Sequence, residues 1–284
     1  MTAGRAPRGR YALNLSLCLS GLPAVDAIGF AARAGFDQVE LWWPFTDSGP
    51  VEAQIAQLRA ALLACDSQLV CLNIDAGDTN AGERGLLSDP GQVDRCRASI
   101  VAAVRTAEVT GCRLLNLPYG NRRPGHTPER QHRTARENLL FATAEARRAG
   151  ASILIEPLNA GDNPGYLLPD LPRAAELIAD LRHAGADNAG ILLDVYHLAR
   201  SREDVEAAIA RHAPDTLHVQ FADLPDRRSP GTGELDFNAV RRALADAGYR
   251  GLVGLEFIGG QDPYRAVALA LDFVRRHPVP SYTE

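Results

Sequence analysis

Residues 153–159 read Ile-Leu-Ile-Glu-Pro-Leu-Asn. The first three suit a buried strand, being apolar and largely β-branched. Glu156 then ends the run, and a proline follows it. Burying an ionised carboxylate is costly unless something pairs with it. The same pattern recurs at 191–197 (ILLDVYH), 217–223 (LHVQFAD) and 253–259 (VGLEFIG). Each apolar run carries one oxygen-bearing side chain at its end: Asp194, Gln220 and Glu256 in turn.

Reading outward from these four, further strand-like runs occur at 11–16 (YALNLS), 37–42 (DQVELW), 68–73 (QLVCLN) and 112–117 (CRLLNL). Helical patterns lie between the runs, for example at 26–35, 51–66 and 137–150. Gly35, Gly111, Gly150 and Gly248 stand where those helices should end. Strand-helix alternation calls for parallel strands with crossover helices. Eight such units in 284 residues predict an α/β chain folded as a single (β/α)8 TIM barrel, for which about 250 residues is usual. An open doubly wound sheet is the competitor, but no strand is followed by G-x-G-x-x-G. The barrel is expected over 11–284, with 1–10 as a flexible basic tail lacking the apolar stretch of a signal peptide. The long irregular segments follow strands, which marks the functional face of a barrel.

Composition removes several function classes. The net charge is −5, so no basic footprint argues for nucleic acid. No apolar run is long enough to span a bilayer, so no membrane partner is expected. The five cysteines contain no C-x-x-C and read as free thiols in a reducing, cytoplasmic setting. All thirty basic residues are arginine. The absence of lysine excludes Schiff-base chemistry, a pyridoxal anchor and a P-loop.

On the barrel reading, Glu156, Asp194, Gln220 and Glu256 sit at or near the ends of strands five to eight. They are spaced 38, 26 and 36 residues apart, about one strand-helix repeat each. Consecutive strands are neighbours in the wall, so the four side chains should converge on one mouth. Three carboxylates cannot crowd together ionised without a counter-charge. With no lysine available, a divalent cation is the expected partner, and hard oxygen ligands suit Mg²⁺ or Mn²⁺ better than zinc. Any one of these acids alone could equally be a helix cap or an ion-pair partner.

Other residues on this face are candidates of lesser weight. His197 is a substrate contact, a ligand or a capped loop histidine. His218 alternates with Gln220 and reads as structural. Arg84 and Arg227 lie in strand-following loops and offer planar forks for a substrate carboxylate. Glu40, at the end of strand two, is grouped with the substrate contacts, and Trp42 and Trp43 after it form a pocket wall or pack beneath a loop. His126, His132, His183, His212 and His277 form no ligand cluster and read as surface or loop residues.

The stretches NLSLCL, GFDQVELWWPF, AGDTNAGERGL, LIEPLN, LLDVYH, HVQFADLPDR with PGTGELDF, and GLEF occur in order along nearly the whole chain. In this the sequence resembles the hydroxypyruvate isomerase family of xylose-isomerase-like barrels. The resemblance implies that Glu156, Asp194, Gln220 and Glu256 hold a divalent metal and that Glu156 and Glu256 are the acid/base pair. Sugar 3-epimerases of the wider group carry histidine where Gln220 stands, which favours the hydroxypyruvate branch. The implied reaction is interconversion of hydroxypyruvate and tartronate semialdehyde through an enediolate. The alternatives are a 2-oxo-tetronate isomerase or a ketose 3-epimerase on the same site, an AP-endonuclease-like barrel, and a non-catalytic barrel. The expected partner is a small hydroxy or oxo acid or a sugar. The family also implies self-association into a homo-oligomer.

Overall fold

The structure is a computed structural model that describes residues 10–49 and 52–278. The expected tail therefore lies outside the described residues, except for Arg10. Eight parallel strands close in sequence order: β1 (Tyr11–Asn14), β2 (Gln38–Leu41), β3 (Gln68–Asn73), β4 (Leu114–Asn116), β5 (Ser152–Ile155), β6 (Ala189–Asp194), β7 (Thr216–Phe221) and β8 (Val253–Leu255). β1 pairs with both β2 and β8, which completes the barrel. Each strand coincides with one of the eight apolar runs, to within a few residues at its ends.

Helices pack outside the wall for the reasons visible in the sequence. Thr127 caps the helix Pro128–Arg148 by accepting the Arg130 N–H, and Asp170 caps Leu171–His183 by accepting that of Arg173. Each helix has proline in its first turn, where no intrahelical N–H partner is needed. Gly35 and Gly111 end their helices with left-handed backbone, φ 105° and 78°, a conformation that glycine adopts without a Cβ penalty. The main core lies between strands and helices and includes Leu13, Val39, Leu72, Ile155, Leu193, Phe221 and Phe273.

The barrel interior is layered. Ala12, Val70, Cys71, Leu154 and Leu192 form a small apolar cluster of their own. Because side chains alternate along a strand, Leu192 and Asp194 share one face of β6, and His218 and Gln220 share one face of β7. Buried polar groups follow on the same inward faces: Asn14, Glu40, Asn116, Asp194, His218 and Gln220. The long segments after β3, β4, β5 and β7 gather over this polar end.

One detail differs from the sequence expectation, while the cysteines are free thiols as expected. His212 and His277 are buried rather than superficial, each on the apolar side of a helix end, where burial holds the imidazole pKa below its usual value. All five cysteines are free, and Cys18, Cys71, Cys96 and Cys112 are buried.

Candidate metal centre and active site

The four strand-end residues meet at the polar end of the barrel. Glu156 follows β5 directly, and its Oε2 accepts a 2.8 Å hydrogen bond from Asn116 Nδ2 on β4. Asp194 closes β6 and also caps the helix Val195–Arg200. Its Oδ1 accepts the Tyr196 N–H at 2.8 Å, which leaves Oδ2 turned to the centre. Gln220 lies opposite Asp194 in the register of β6 and β7. Glu256 follows β8, with Oε1 accepting from Asn14 Nδ2 at 2.9 Å and Trp42 Nε1 at 2.7 Å.

Glu40 lies beside this group in the barrel interior, 1% exposed. It accepts from His218 Nε2 at 2.5 Å, Gln220 Nε2 at 2.8 Å and Asn14 Nδ2 at 3.3 Å. It is absent from the residues that line the cavity above. Only a glycine opposite admits it: a Cβ on Gly254 would stand 2.1 Å from Glu40 Oε1. Because the Gln220 amide gives its Nε2 to Glu40, its Oε1 points elsewhere and is buried without a hydrogen-bond partner.

Crowding raises the carboxyl pKa values. Burial, then the charges of Glu256 and Asp194, push Glu156 well above the usual carboxylate range. Burial pushes Glu256 up to about 7 against the pull of Arg227, and Asp194 is raised by burial in the same way. The counter-charge is Arg227. Its Nη2 donates to Asp194 Oδ2 at 2.8 Å and to Glu256 Oε2, and its guanidinium lies over the Tyr196 ring, 5.4 Å from the centroid. The sequence offers no lysine to balance the acids, which pointed to a cation; in this structure an arginine 29 residues from Glu256 takes that place.

His197 stands beside them, its Nε2 3.6 Å from Asp194 Oδ2 and 3.8 Å from Glu156 Oε1. Ligand atoms of Glu156, Asp194 and His197 all lie within 4.8 Å of one another. The Asn159 backbone N–H donates to His197 Nδ1 at 3.2 Å. Arg227 Nη1, which can only donate, lies 3.3 Å from Nε2, so both ring nitrogens face donors. Burial, then Arg227, hold the imidazole pKa well below the usual value.

The donor set fits a divalent cation. Glu156, Asp194 and His197 bring ligand atoms together, and Asp194 and Glu256 share Arg227. Gln220, opposite Asp194 in the register, has a buried amide oxygen without a partner. Metal ligands are generally held by neighbouring hydrogen bonds, as these acids are. Above them opens a cavity of about 820 Å³ whose lining includes Trp42, Trp43, Arg84, Arg95, His197 and Arg227. None of the four strand-end residues is in that lining, whereas Arg227 and His197, which contact three of them, are.

A model of the xylose isomerase-like TIM barrel matches residues 28–277. The chain belongs to this family, in its hydroxypyruvate isomerase group. A Streptomyces coelicolor protein named "Putative hydroxypyruvate isomerase" is 42% identical over 257 residues, 89% of this chain and 92% of that protein. The hydroxypyruvate isomerase of Escherichia coli K12 is 31% identical, over 90% of this chain and 99% of its own length. The 2-oxo-tetronate isomerase of Cupriavidus necator is 33% identical, over 87% and 92%. Among solved structures, a Brucella melitensis protein called AP endonuclease, family 2, superposes with a TM-score of 0.82 at 28% identity, covering 95% of this chain and all of that one.

Asn14, Asn116 and Asp223, and the polar role of Trp42, are not legible in the sequence around this xylose isomerase-like site. Trp42 was expected only as apolar surface, yet its indole N–H holds Glu256. Asp223 was passed over altogether. It is fully buried, with Oδ1 accepting the N–H groups of Leu224, Glu234 and Leu235 and Oδ2 those of Gly231 and Gly233. The PGTGE stretch is thus an anion nest for the protein's own carboxylate. A Cβ on Gly233 would lie 1.8 Å from the Leu224 carbonyl oxygen. The nest fixes the loop that carries Arg227, whose own backbone is left-handed at φ 54°. Asp223→Asn puts an amide donor among five N–H donors. It should cost about 2 kcal/mol, read as a lower Tm together with faster proteolysis within 223–235. An unchanged Tm and cleavage rate would remove Asp223 as the anchor of that loop.

Proposed function

We propose that this barrel is a divalent-cation-dependent isomerase interconverting hydroxypyruvate and tartronate semialdehyde. The family makes it an isomerase. What supports the finer reading is that Glu156 and Glu256, at the ends of β5 and β8, lie in one buried acid group with Asp194, which is close to Glu156 and shares Arg227 with Glu256, and that the buried Gln220 amide oxygen has no partner. Mg²⁺ or Mn²⁺ suits this all-oxygen set. A relative 31% identical, named hydroxypyruvate isomerase, supports the substrate.

The reaction moves one hydrogen from C3 of hydroxypyruvate to C2, while the carbonyl passes from C2 to C3. One carboxylate, Glu156 or Glu256, takes the C3 proton to give an enediolate. A proton returned to C2 on collapse of the enediolate completes the exchange, and the O–H proton moves between the two oxygens. Glu156 and Glu256 exchange roles with direction. A bound cation supplies Lewis-acid stabilisation of the oxygens. Asn116 holds Glu156 in place, and Asn14 and Trp42 hold Glu256, so neither base must be reoriented. The Arg227 guanidinium presents donors to substrate oxygens at the cavity floor, with His197 beside it. Glu40 acts through Gln220, fixing which amide atom faces the centre.

A second reading is 2-oxo-tetronate isomerisation, favoured by the relative of that name at 33% identity. The chemistry is the same with one more carbon. A DNA-repair role finds little support: the net charge is −5, and His197 is the one histidine in the acid cluster among the described residues.

The test is product identification. Protein stripped with EDTA should be inactive, and Mg²⁺ or Mn²⁺ should restore it. Proton NMR in D₂O should show hydroxypyruvate converted to tartronate semialdehyde with one deuterium on C2. A four-carbon 2-oxo acid turned over with a much higher kcat/KM would transfer the assignment to the second reading. No conversion of either acid, in metal-loaded protein, would overturn both.

A further inference from the structure

We propose that Arg84 is the specificity-determining residue that admits acids and disfavours neutral ketoses, an inference that rests on the isomerase reading above. The cavity lining holds three described arginines: Arg84, Arg95 and Arg227. Arg227 is neutralised by Asp194 and Glu256. Arg95 is neutralised by Asp75 at 3.0 Å and also donates to the Ser48 hydroxyl at 2.8 Å.

Arg84 differs in kind. Its Nε donates to Asn163 Oδ1 at 3.2 Å, and its Nη1 donates to the carbonyls of Thr79 and Glu83 at 3.1 and 2.8 Å. All three acceptors are neutral, and Nη2 has no hydrogen-bond partner among the described residues. Nearby acids are engaged elsewhere. Glu83 is paired with Arg123. Asp162 is paired with Arg200 at 3.1 Å and accepts the Tyr196 hydroxyl at 2.8 Å. Asp78 accepts the N–H groups of Asn80 and Ala81, and Asp226 is paired with Arg228.

A guanidinium fixed by neutral carbonyls is oriented without losing its charge. It faces a cavity whose other two arginines are already balanced. A planar fork of that kind recognises a carboxylate through charge-assisted hydrogen bonds. A substrate carboxylate beside Arg227 would instead join three carboxylates already in place, where like charges repel. The two arginines therefore divide the work: Arg227 belongs to the reacting end, and Arg84 takes the acid group of the substrate.

Hydroxypyruvate and 1,3-dihydroxyacetone differ only in bearing –COO⁻ or –CH₂OH on the same carbonyl, so their ratio of kcat/KM isolates the acid contact. In Arg84→Gln this ratio should fall on the order of 100-fold, chiefly through KM for the acid, with dihydroxyacetone unaffected. Arg84→Lys, which keeps the charge without the fork, should fall between. Equal losses on both substrates, an unchanged ratio, or a ratio that collapses in Arg227→Gln and not in Arg84→Gln would each overturn the proposal. Calorimetric binding of D-glycerate, a non-reacting acid, separates this proposal from the reaction assignment. Wild-type protein inert on both ketones but losing D-glycerate affinity in Arg84→Gln would sustain the acid site and reject the reaction. D-glycerate bound equally by both proteins, or by neither, would reject the acid site.

Discussion

Glu156→Gln and Glu256→Gln are each expected to lower kcat by a factor of about 10²–10⁴, the usual contribution of a positioned general base. The amide keeps the shape of the side chain but cannot take a proton from carbon. Stability should move little or improve in Glu156→Gln and fall modestly in Glu256→Gln, where the new amide nitrogen faces Arg227 Nη2. Both carboxyls are buried and crowded enough to hold their pKa values above the usual range, so removing a charge relieves repulsion in metal-free protein. In the first variant the new amide oxygen can still accept from Asn116, and in the second it can still accept from Asn14 and Trp42. The diagnostic result is therefore a lost turnover rate in both folded variants, with deuterium entering substrate C3 in D₂O only in the variant that keeps the C3 base. Near-normal turnover by both variants in metal-loaded protein would sink the acid/base assignment.

Arg227→Met should produce the largest change in metal-free stability. The substitution leaves Asp194 and Glu256 buried without their cation, and breaking a buried pair in this way typically costs on the order of 3–5 kcal/mol. The metal-free variant should melt several degrees below wild type. Added Mn²⁺ should recover more stability in the variant than in wild type, because ligand binding to the folded form adds directly to its stability. Mn²⁺ should also bind the variant more tightly, since the methionine does not compete for the oxygens that Arg227 Nη2 now holds. Calorimetry and thermal melts with and without Mn²⁺ measure both effects. An unchanged metal-free Tm together with an unchanged Mn²⁺ affinity would mean that Arg227 is not the counter-ion of this centre.

The eight strands were legible in the sequence, and so was the face on which the site lies. Both follow from local rules: side-chain alternation along a strand, a cap at a helix end, and the repeat length that makes neighbours of consecutive strands. Glu156, Asp194, Gln220 and Glu256 could be read because each ends an apolar run of its own. What only the tertiary structure decided is which groups answer them. Arg227 could be singled out in its loop, but its pairing with Asp194 and Glu256 depends on a loop held by the Asp223 nest. Trp42 and Asn14 reach Glu256 across 214 and 242 residues, contacts that exist only once the barrel has closed β1 onto β8. Glu40 is expected among the substrate contacts but lies in the interior, because Gly254 leaves room for it and His218 and Gln220 satisfy it. Charge balance and hydrogen-bond partnership depend on three-dimensional neighbours, and closure of the barrel is what chooses those neighbours.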